Sequence, residues 1–197
     1  FAVEPCLSQA VKEEFAGWCQ VARARRVLQR HGVGLIGHPM ENMGDFAVDT
    51  PHLAASLGCA WVNLTVEDYI RRWGAATDGE VSRLAAEYRR SYAVAGDVTD
   101  EDLRCTAAAE LAVRGMISEN RLDALTYQFT AFGDDERSST VPFVAASRLM
   151  AEGIGFGGEG DLIAAAATAF FNWLQPPASF SEIFTIDFAG ESLFLSH

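Results

Sequence analysis

Residues 122–174 read LDALTYQFTAFGDDERSSTVPFVAASRLMAEGIGFGGEGDLIAAAATAFFNWL, and the order of apolar runs within them decides the fold. Leu122 to Phe132 (LDALTYQFTAF) predicts a strand bounded by Gly133. Residues 141–152 predict a helix and Gly153 to Gly160 a glycine-rich loop. Asp161 is placed to cap a very apolar helix over 162–174, because its carboxylate can accept from the unpaired N–H groups of the first turn.

The same alternation continues upstream. Residues 8–30 predict a long helix, with Val11, Phe15, Trp18, Cys19 and Ala22 on one face and Gly32 as its stop. Val33 to Gly37 is a short buried strand, followed by a loop over 37–50. Pro51 opens a helix behind Thr50 that ends at Gly58, and Cys59 to Leu64 is a second strand. Helices follow from 66, over 78–94 and over 99–120, the last opening on Thr99-Asp-Glu-Asp102, an acidic turn of capping-box type. Strands alternating with helices predict an α/β fold, a Rossmann-like parallel sheet with helices on both faces.

Gln175-Pro-Pro177 breaks the pattern, and residues 183–188 and 192–195 predict a β-hairpin around Ala189-Gly190. The expected organisation is therefore a helix from the end of a preceding domain (1–26), an α/β central domain (27–175) and the start of a β-rich C-terminal domain (176–197). Phe1 in place of Met, and His197 directly after an apolar run, lead us to expect an internal piece of a longer chain.

A 49% hydrophobic and 21% charged composition is that of an ordinary globular protein. The net charge of −12 argues against nucleic acid and anionic membranes as partners, since both are polyanions. No apolar run reaches the length of a membrane-spanning helix. Cys6, Cys19, Cys59 and Cys105 show no metal or disulfide spacing and read as reduced, mostly buried residues of a cytoplasmic protein.

Chemistry concentrates in Gly153-Ile-Gly-Phe-Gly-Gly-Glu-Gly-Asp161. Residues 155–160 satisfy G-x-G-x-x-G, and Glu182 follows at a distance compatible with a dinucleotide fingerprint. A helix rather than a strong strand precedes the loop, however, and Glu159 and Asp161 would set carboxylates against a pyrophosphate. Glycines flanking carboxylates fit a loop that offers oxygen ligands to a hard cation, with Glu182 and His197 as further ligands. On spacing alone, a surface glutamate, a hairpin glutamate and a terminal histidine are the commoner explanation.

Three motifs in order change that balance. GFGGEGD (155–161), SFSEIFTIDF (179–188) and LFLSH (193–197) resemble the metal-binding stretch of L-arabinose isomerases. MGDFAVDT (43–50), DALTYQFTAF (123–132) and VPFVAASRLM (141–150) resemble the same family's central domain. The resemblance implies a metal-dependent aldose–ketose isomerase with Glu159, Glu182 and His197 as ligands of Mn²⁺ (or Co²⁺ or Mg²⁺). It also implies Glu159 and Glu182 as the acid–base pair, and a homo-oligomer, trimer or hexamer. Somewhat short spacings between the motifs, and the unusual Gly-His-Pro-Met40 loop, mark a divergent branch. The family's fourth ligand, a downstream histidine, falls beyond this sequence.

His38 on the loop after the first strand and Gln128 near the end of a later one are the candidate substrate-binding residues. His31 reads as an ordinary helix-end residue and His52 as an exposed first-turn residue. The stripe Phe15, Trp18 and Cys19 reads as core or subunit interface. Two other classes remain: a non-catalytic α/β sugar-binding module or decayed isomerase homologue, and an NAD-dependent oxidoreductase.

Overall fold

Four parallel strands in the order β2-β1-β3-β4 form the sheet: β1 (Gly32–Ile36), β2 (Ala60–Leu64), β3 (Ala124–Tyr127) and β4 (Gly155–Gly157). The computed structural model describes residues 8–132, 137 and 140–196. Around the sheet lie α1 (Gln9–Leu28), α2 (Thr50–Leu57), α3 (Val66–Ala75), α4 (Asp78–Ser91), α5 (Asp100–Asn120), α6 (Phe143–Ala151) and α7 (Leu162–Leu174). A separate antiparallel pair, β5 (Glu182–Asp187) and β6 (Ser192–Ser196), closes the chain.

Strand alternation sorts the core into two layers. Ile36, Leu64, Leu125, Tyr127 and Phe156 point to one face, where α3, α5 and α6 cover them with Ile70, Val113, Met116 and Leu149. Val33, Leu35 and Ala124 point to the other, against Leu162, Ala165, Ala166 and Ala169 of α7. Helices therefore cover both faces, as the sequence predicts. On the far side of α5, α4 adds a third cluster around Val81, Leu84 and Leu103.

Caps explain most helix starts. Thr99 Oγ1 accepts from Asp102 N at 3.2 Å while Asp102 Oδ2 accepts from Thr99 N at 2.8 Å, completing the predicted capping box. Asp161 caps α7 as expected, its Oδ1 accepting from Ile163 N at 2.8 Å and Ala164 N at 2.9 Å. The cap of α2 is Asp49 rather than Thr50, because the aspartate carboxylate reaches His52 N at 2.9 Å and Thr50 is already helical. Gly58, at φ 85°, ends that helix in the left-handed conformation that glycine adopts without strain.

Three expectations are corrected. The predicted strand 122–132 pairs only over Ala124–Tyr127; Phe129–Phe132 winds into a 3₁₀ turn, because Phe132 must fold back into the core between Tyr69 and Tyr127. The glycine-rich loop itself contains the fourth strand, β4, hidden from strand patterning because two of its three residues have no side chain. Helix α1 stops at Leu28, and Gly32 opens β1 instead of ending the helix.

The side chains differ from expectation as well. Phe15 and Trp18 are exposed and Cys19 is exposed, so that stripe is not core in this chain. Of the cysteines described, only Cys59 is buried; Cys105 is half-buried, and Cys6 lies outside the described residues. His31, at the end of the turn after α1, is buried, and its Nδ1 has no hydrogen-bond partner among the described residues.

Candidate functional site at the carboxyl end of the sheet

The chain runs from β1 outward to β2 and later returns to place β3 on the opposite side of β1. The strand order thus reverses between β1 and β3, and the loops leaving their carboxyl ends diverge into the crevice where open α/β sheets bind ligands. His38 follows β1 by two residues and Gln128 directly follows β3. Both predicted substrate-binding residues therefore flank this switch point.

A third loop joins them. Met40 N donates to Glu159 O at 2.8 Å, and a Cβ on Gly160 would stand 2.5 Å from Pro39 Cα. Because β3 lies between β1 and β4, a segment linking the end of β1 to the turn after β4 must pass over the end of β3. Gln128 is 3% exposed beneath that crossing, and its Oε1 has no hydrogen-bond partner among the described residues. A buried acceptor left bare costs about 1–3 kcal/mol, which a ligand hydroxyl or a water would recover. His38 itself is exposed, with Nδ1 2.8 Å from Pro39 O.

The Glu159 turn is shaped by close packing. A Cβ on Gly157 would lie 2.5 Å from Asp161 O, so only glycine lets α7 start directly against β4. The chain reverses there through two successive left-handed residues, Glu159 at φ 57° and Gly160 at φ 88°. That conformation costs a non-glycine residue about 1 kcal/mol, a strain that tends to persist where function requires the side chain. The two carboxylates of the motif then have different duties. Asp161 is committed to the helix cap, whereas the half-buried Glu159 carboxylate makes no hydrogen bond or ion pair among the described residues.

Glu182 follows a tethered segment. Asn172 of α7 is buried; its Nδ2 donates to Met150 O at 3.0 Å and its Oδ1 accepts from Ala178 N at 3.3 Å. Phe180 N donates to Met150 Sδ at 3.4 Å, and the Phe180 ring meets Phe156 edge-on with centroids 6.0 Å apart. The chain after the prolines is thereby pinned to α6 and β4, and Glu182, half-buried, opens β5 two residues later.

Between these elements lies a cavity of about 630 Å³, walled by Phe129, Phe143, Met150, Phe156, Phe180 and Phe184. That volume is in the range of small-molecule sites. Sequence reading missed this cavity. The available signal was the pair of aromatic residues, Phe180 and Phe184, that flank Glu182 in the sequence.

Metal ligation meets a mixed result. Among the described residues, no three His, Cys, Asp or Glu side chains gather closely enough to hold a metal ion. Glu159 and Glu182 are described, while the third predicted ligand, His197, lies outside the described residues. The uncommitted Glu159 carboxylate fits an oxygen ligand of a divalent cation. The dinucleotide alternative finds a strand leading into the loop after all, in β4, but the left-handed Glu159 occupies the place where a pyrophosphate would need bare backbone.

Comparison with known proteins agrees with this architecture. Residues 36–175 match the family model of the L-arabinose isomerase central domain. The chain is 31% identical over 187 residues to an L-arabinose isomerase of Clavibacter sepedonicus, covering 90% of this chain and 36% of that protein. It is 30% identical over 184 residues to one from Acidothermus cellulolyticus, covering 89% and 36%. It is 32% identical over 156 residues to one from Thermotoga petrophila, covering 79% and 31%. The sequence thus spans about a third of the length of the curated relatives it matches, and it belongs to the L-arabinose isomerase family.

Proposed function

We propose that the full-length protein is a metal-dependent aldose–ketose isomerase, in which Glu159 and Glu182 move a proton between C1 and C2 of a sugar. What supports this reading most is the carboxylate of Glu159, uncommitted among the described residues and held in a left-handed turn at the carboxyl end of the sheet. Glu159, Glu182 and His197 would hold a divalent cation, with Mn²⁺ proposed and Co²⁺ or Mg²⁺ as alternatives. The chemistry such a cation supplies when bound is Lewis-acid polarisation of the sugar carbonyl.

The residues' own work is proton transfer and orientation. One glutamate removes the proton from C2, beside the carbonyl, as general base and the other delivers a proton to C1 as general acid, while the hydroxyl proton passes from O2 to O1, so that the aldehyde becomes a hydroxymethyl group and C2 a ketone. The order of the two is open. Gln128 Oε1 accepts from a sugar hydroxyl, and His38 lines the approach.

The domain assignment belongs to the same proposal. Residues 27–175 form the central unit, 1–26 end a preceding one, and 176–197 begin a β-rich unit whose further strands cover the hairpin. A homo-oligomer and a cytoplasmic location complete the reading.

The test uses the full-length protein, stripped with chelator and resupplied with Mn²⁺, with ketose formation followed across a panel of aldoses. Turnover should return with metal, and Glu159→Gln should lower kcat by about 10²–10⁴-fold. Sugar binding without turnover at any metal concentration would overturn the isomerase in favour of a binding module.

A further inference from the structure

His38, Pro39 and Met40 form the loop that the sequence marks as unusual, and the structure anchors it at its base. Gly37, at φ 80°, donates its N–H to Leu64 O at the end of β2 at 3.0 Å. A Cβ on Gly37 would stand 3.1 Å from Ala131 Cβ, in the turn that follows β3. The loop therefore leaves β1 packed against the chain that follows both neighbouring strands. His38 Nδ1 donates to Pro39 O at 2.8 Å, and the pyrrolidine ring fixes φ at Pro39, so little freedom is left before Met40.

The far end of this loop meets Glu159. Met40 N donates to Glu159 O at 2.8 Å, and a Cβ on Gly160 would stand 2.5 Å from Pro39 Cα and 3.1 Å from His38 O. Glu159 and Gly160 are the central residues of a turn closed by Asp161 N, which donates to Gly158 O at 2.9 Å. Both have positive φ, a pattern that suits glycine, asparagine and aspartate better than glutamate. Local preference would move Glu159 out of this conformation. Contacts on either side oppose that: the α7 cap holds Asp161, and Met40 holds the Glu159 carbonyl.

We infer that Pro39 and Met40 are positioning residues for Glu159, holding the Glu159–Gly160 turn left-handed and so fixing the direction in which the carboxylate leaves the main chain. The inference rests on the proton-transfer reading of Glu159 and goes beyond it, since it gives control of that carboxylate to a loop distant in sequence. Met40 acts through its backbone N–H. Pro39 acts through a main-chain surface that glycine at position 160 can approach and a larger residue cannot. Proton transfer is sensitive to the placement of the base, so a loosened clamp lowers the rate of the chemical step.

The experiment uses the Mn²⁺-loaded full-length protein and the aldose it turns over fastest, with Pro39→Gly, Gly160→Ala and the double variant. Pro39→Gly frees the main chain before Met40, and Gly160→Ala drives a methyl group into Pro39. Each should lower kcat by about 10- to 100-fold with KM nearly unchanged, the scale of a misplaced catalytic group. Because both act through one contact, the double variant should be no slower than the slower single one. Added to Glu159→Gln, Pro39→Gly should cost nothing further. Amide hydrogen exchange on the metal-free protein reads the contact without turnover: the Met40 N–H should be protected, and should lose that protection in Gly160→Ala. An unprotected Met40 N–H, additive losses, or a full-rate Pro39→Gly beside a slow Glu159→Gln would overturn the positioning role and leave the isomerase reading intact. A full-rate Glu159→Gln, or no turnover of any aldose, would remove the proton-transfer reading and this inference with it. The Pro39→Gly comparison decides even where Gly160→Ala folds poorly.

Discussion

At the scale of single residues, polar groups without partners are the most informative. Gln128 Oε1 lies at the switch point, while His31 Nδ1 lies at the opposite, amino-terminal end of the sheet. His31 immediately precedes β1, and burial lowers its pKa below the ordinary 6.5, with the negative charge of Asp123 opposing that shift. Asp123 cannot turn fully to the imidazole, because its Oδ2 accepts from Gly32 N at 2.9 Å. Neutral His31 therefore contributes stability that is fully present above the unfolded-state pKa of about 6.5 and is lost as pH falls through the lower folded-state value. We expect the midpoint of chemical unfolding to decline as the pH is lowered from about 7 to 5, and His31→Phe to flatten that decline. An unchanged slope in the variant would assign the pH dependence to other groups.

At the scale of elements, one buried carboxylate ties three helices together. Glu110 of α5 is 0% exposed and accepts from Tyr88 Oη of α4 at 2.6 Å, Arg114 Nε at 2.8 Å and Arg148 Nε of α6 at 3.0 Å. Arg114 continues to Glu152 at the end of α6, and Arg148 to Glu87 of α4. Burial and the hydrogen bond to Glu110 push the Tyr88 hydroxyl's pKa far above its usual value. Such a carboxylate is tolerated because every neighbour donates to it, and removing it strands charge in the interior. Glu110→Ala is expected to cost about 3 kcal/mol, the lower end for a broken buried pair, because Glu87 and Glu152 still neutralise the arginines. Denaturant melts would check the figure, and a loss below about 1 kcal/mol would show the network to be dispensable. Since α6 also supplies Phe143 and Met150 to the cavity wall, the same substitution should loosen the pocket.

At the scale of the whole molecule, the hairpin stands apart from the layered core. Ile183, Phe184, Ile186, Phe188, Leu193, Phe194 and Leu195 are all exposed, more apolar surface than a soluble chain leaves open without a partner. Isolated two-stranded sheets are marginal in water and present free edges. The 197-residue chain made by itself is therefore expected to self-associate at micromolar concentration. The double substitution Phe188→Ser and Phe194→Ser should shift its mass in light scattering toward the monomer, and a monomeric unsubstituted chain would contradict this account.

Much of this protein was legible along the chain, and the legible part shares a physical character. Helix starts at Thr99 and Asp161, the stop at Gly58, and the hairpin after the prolines all follow from short-range chemistry: a cap, a left-handed turn, a two-residue alternation. The family resemblance likewise rests on ordered local motifs, and Glu159 was singled out by the glycines around it. Tertiary structure decided the rest, because contacts distant in sequence override local preference. β4 exists because α7 packs onto glycines that carry no strand signal, and Phe132 leaves the strand pattern because the core between Tyr69 and Tyr127 has room for its ring. The crossing of the 37–40 loop over Gln128, and the aromatic cavity between α6, β4 and β5, depend on strand order, which no single stretch of sequence contains.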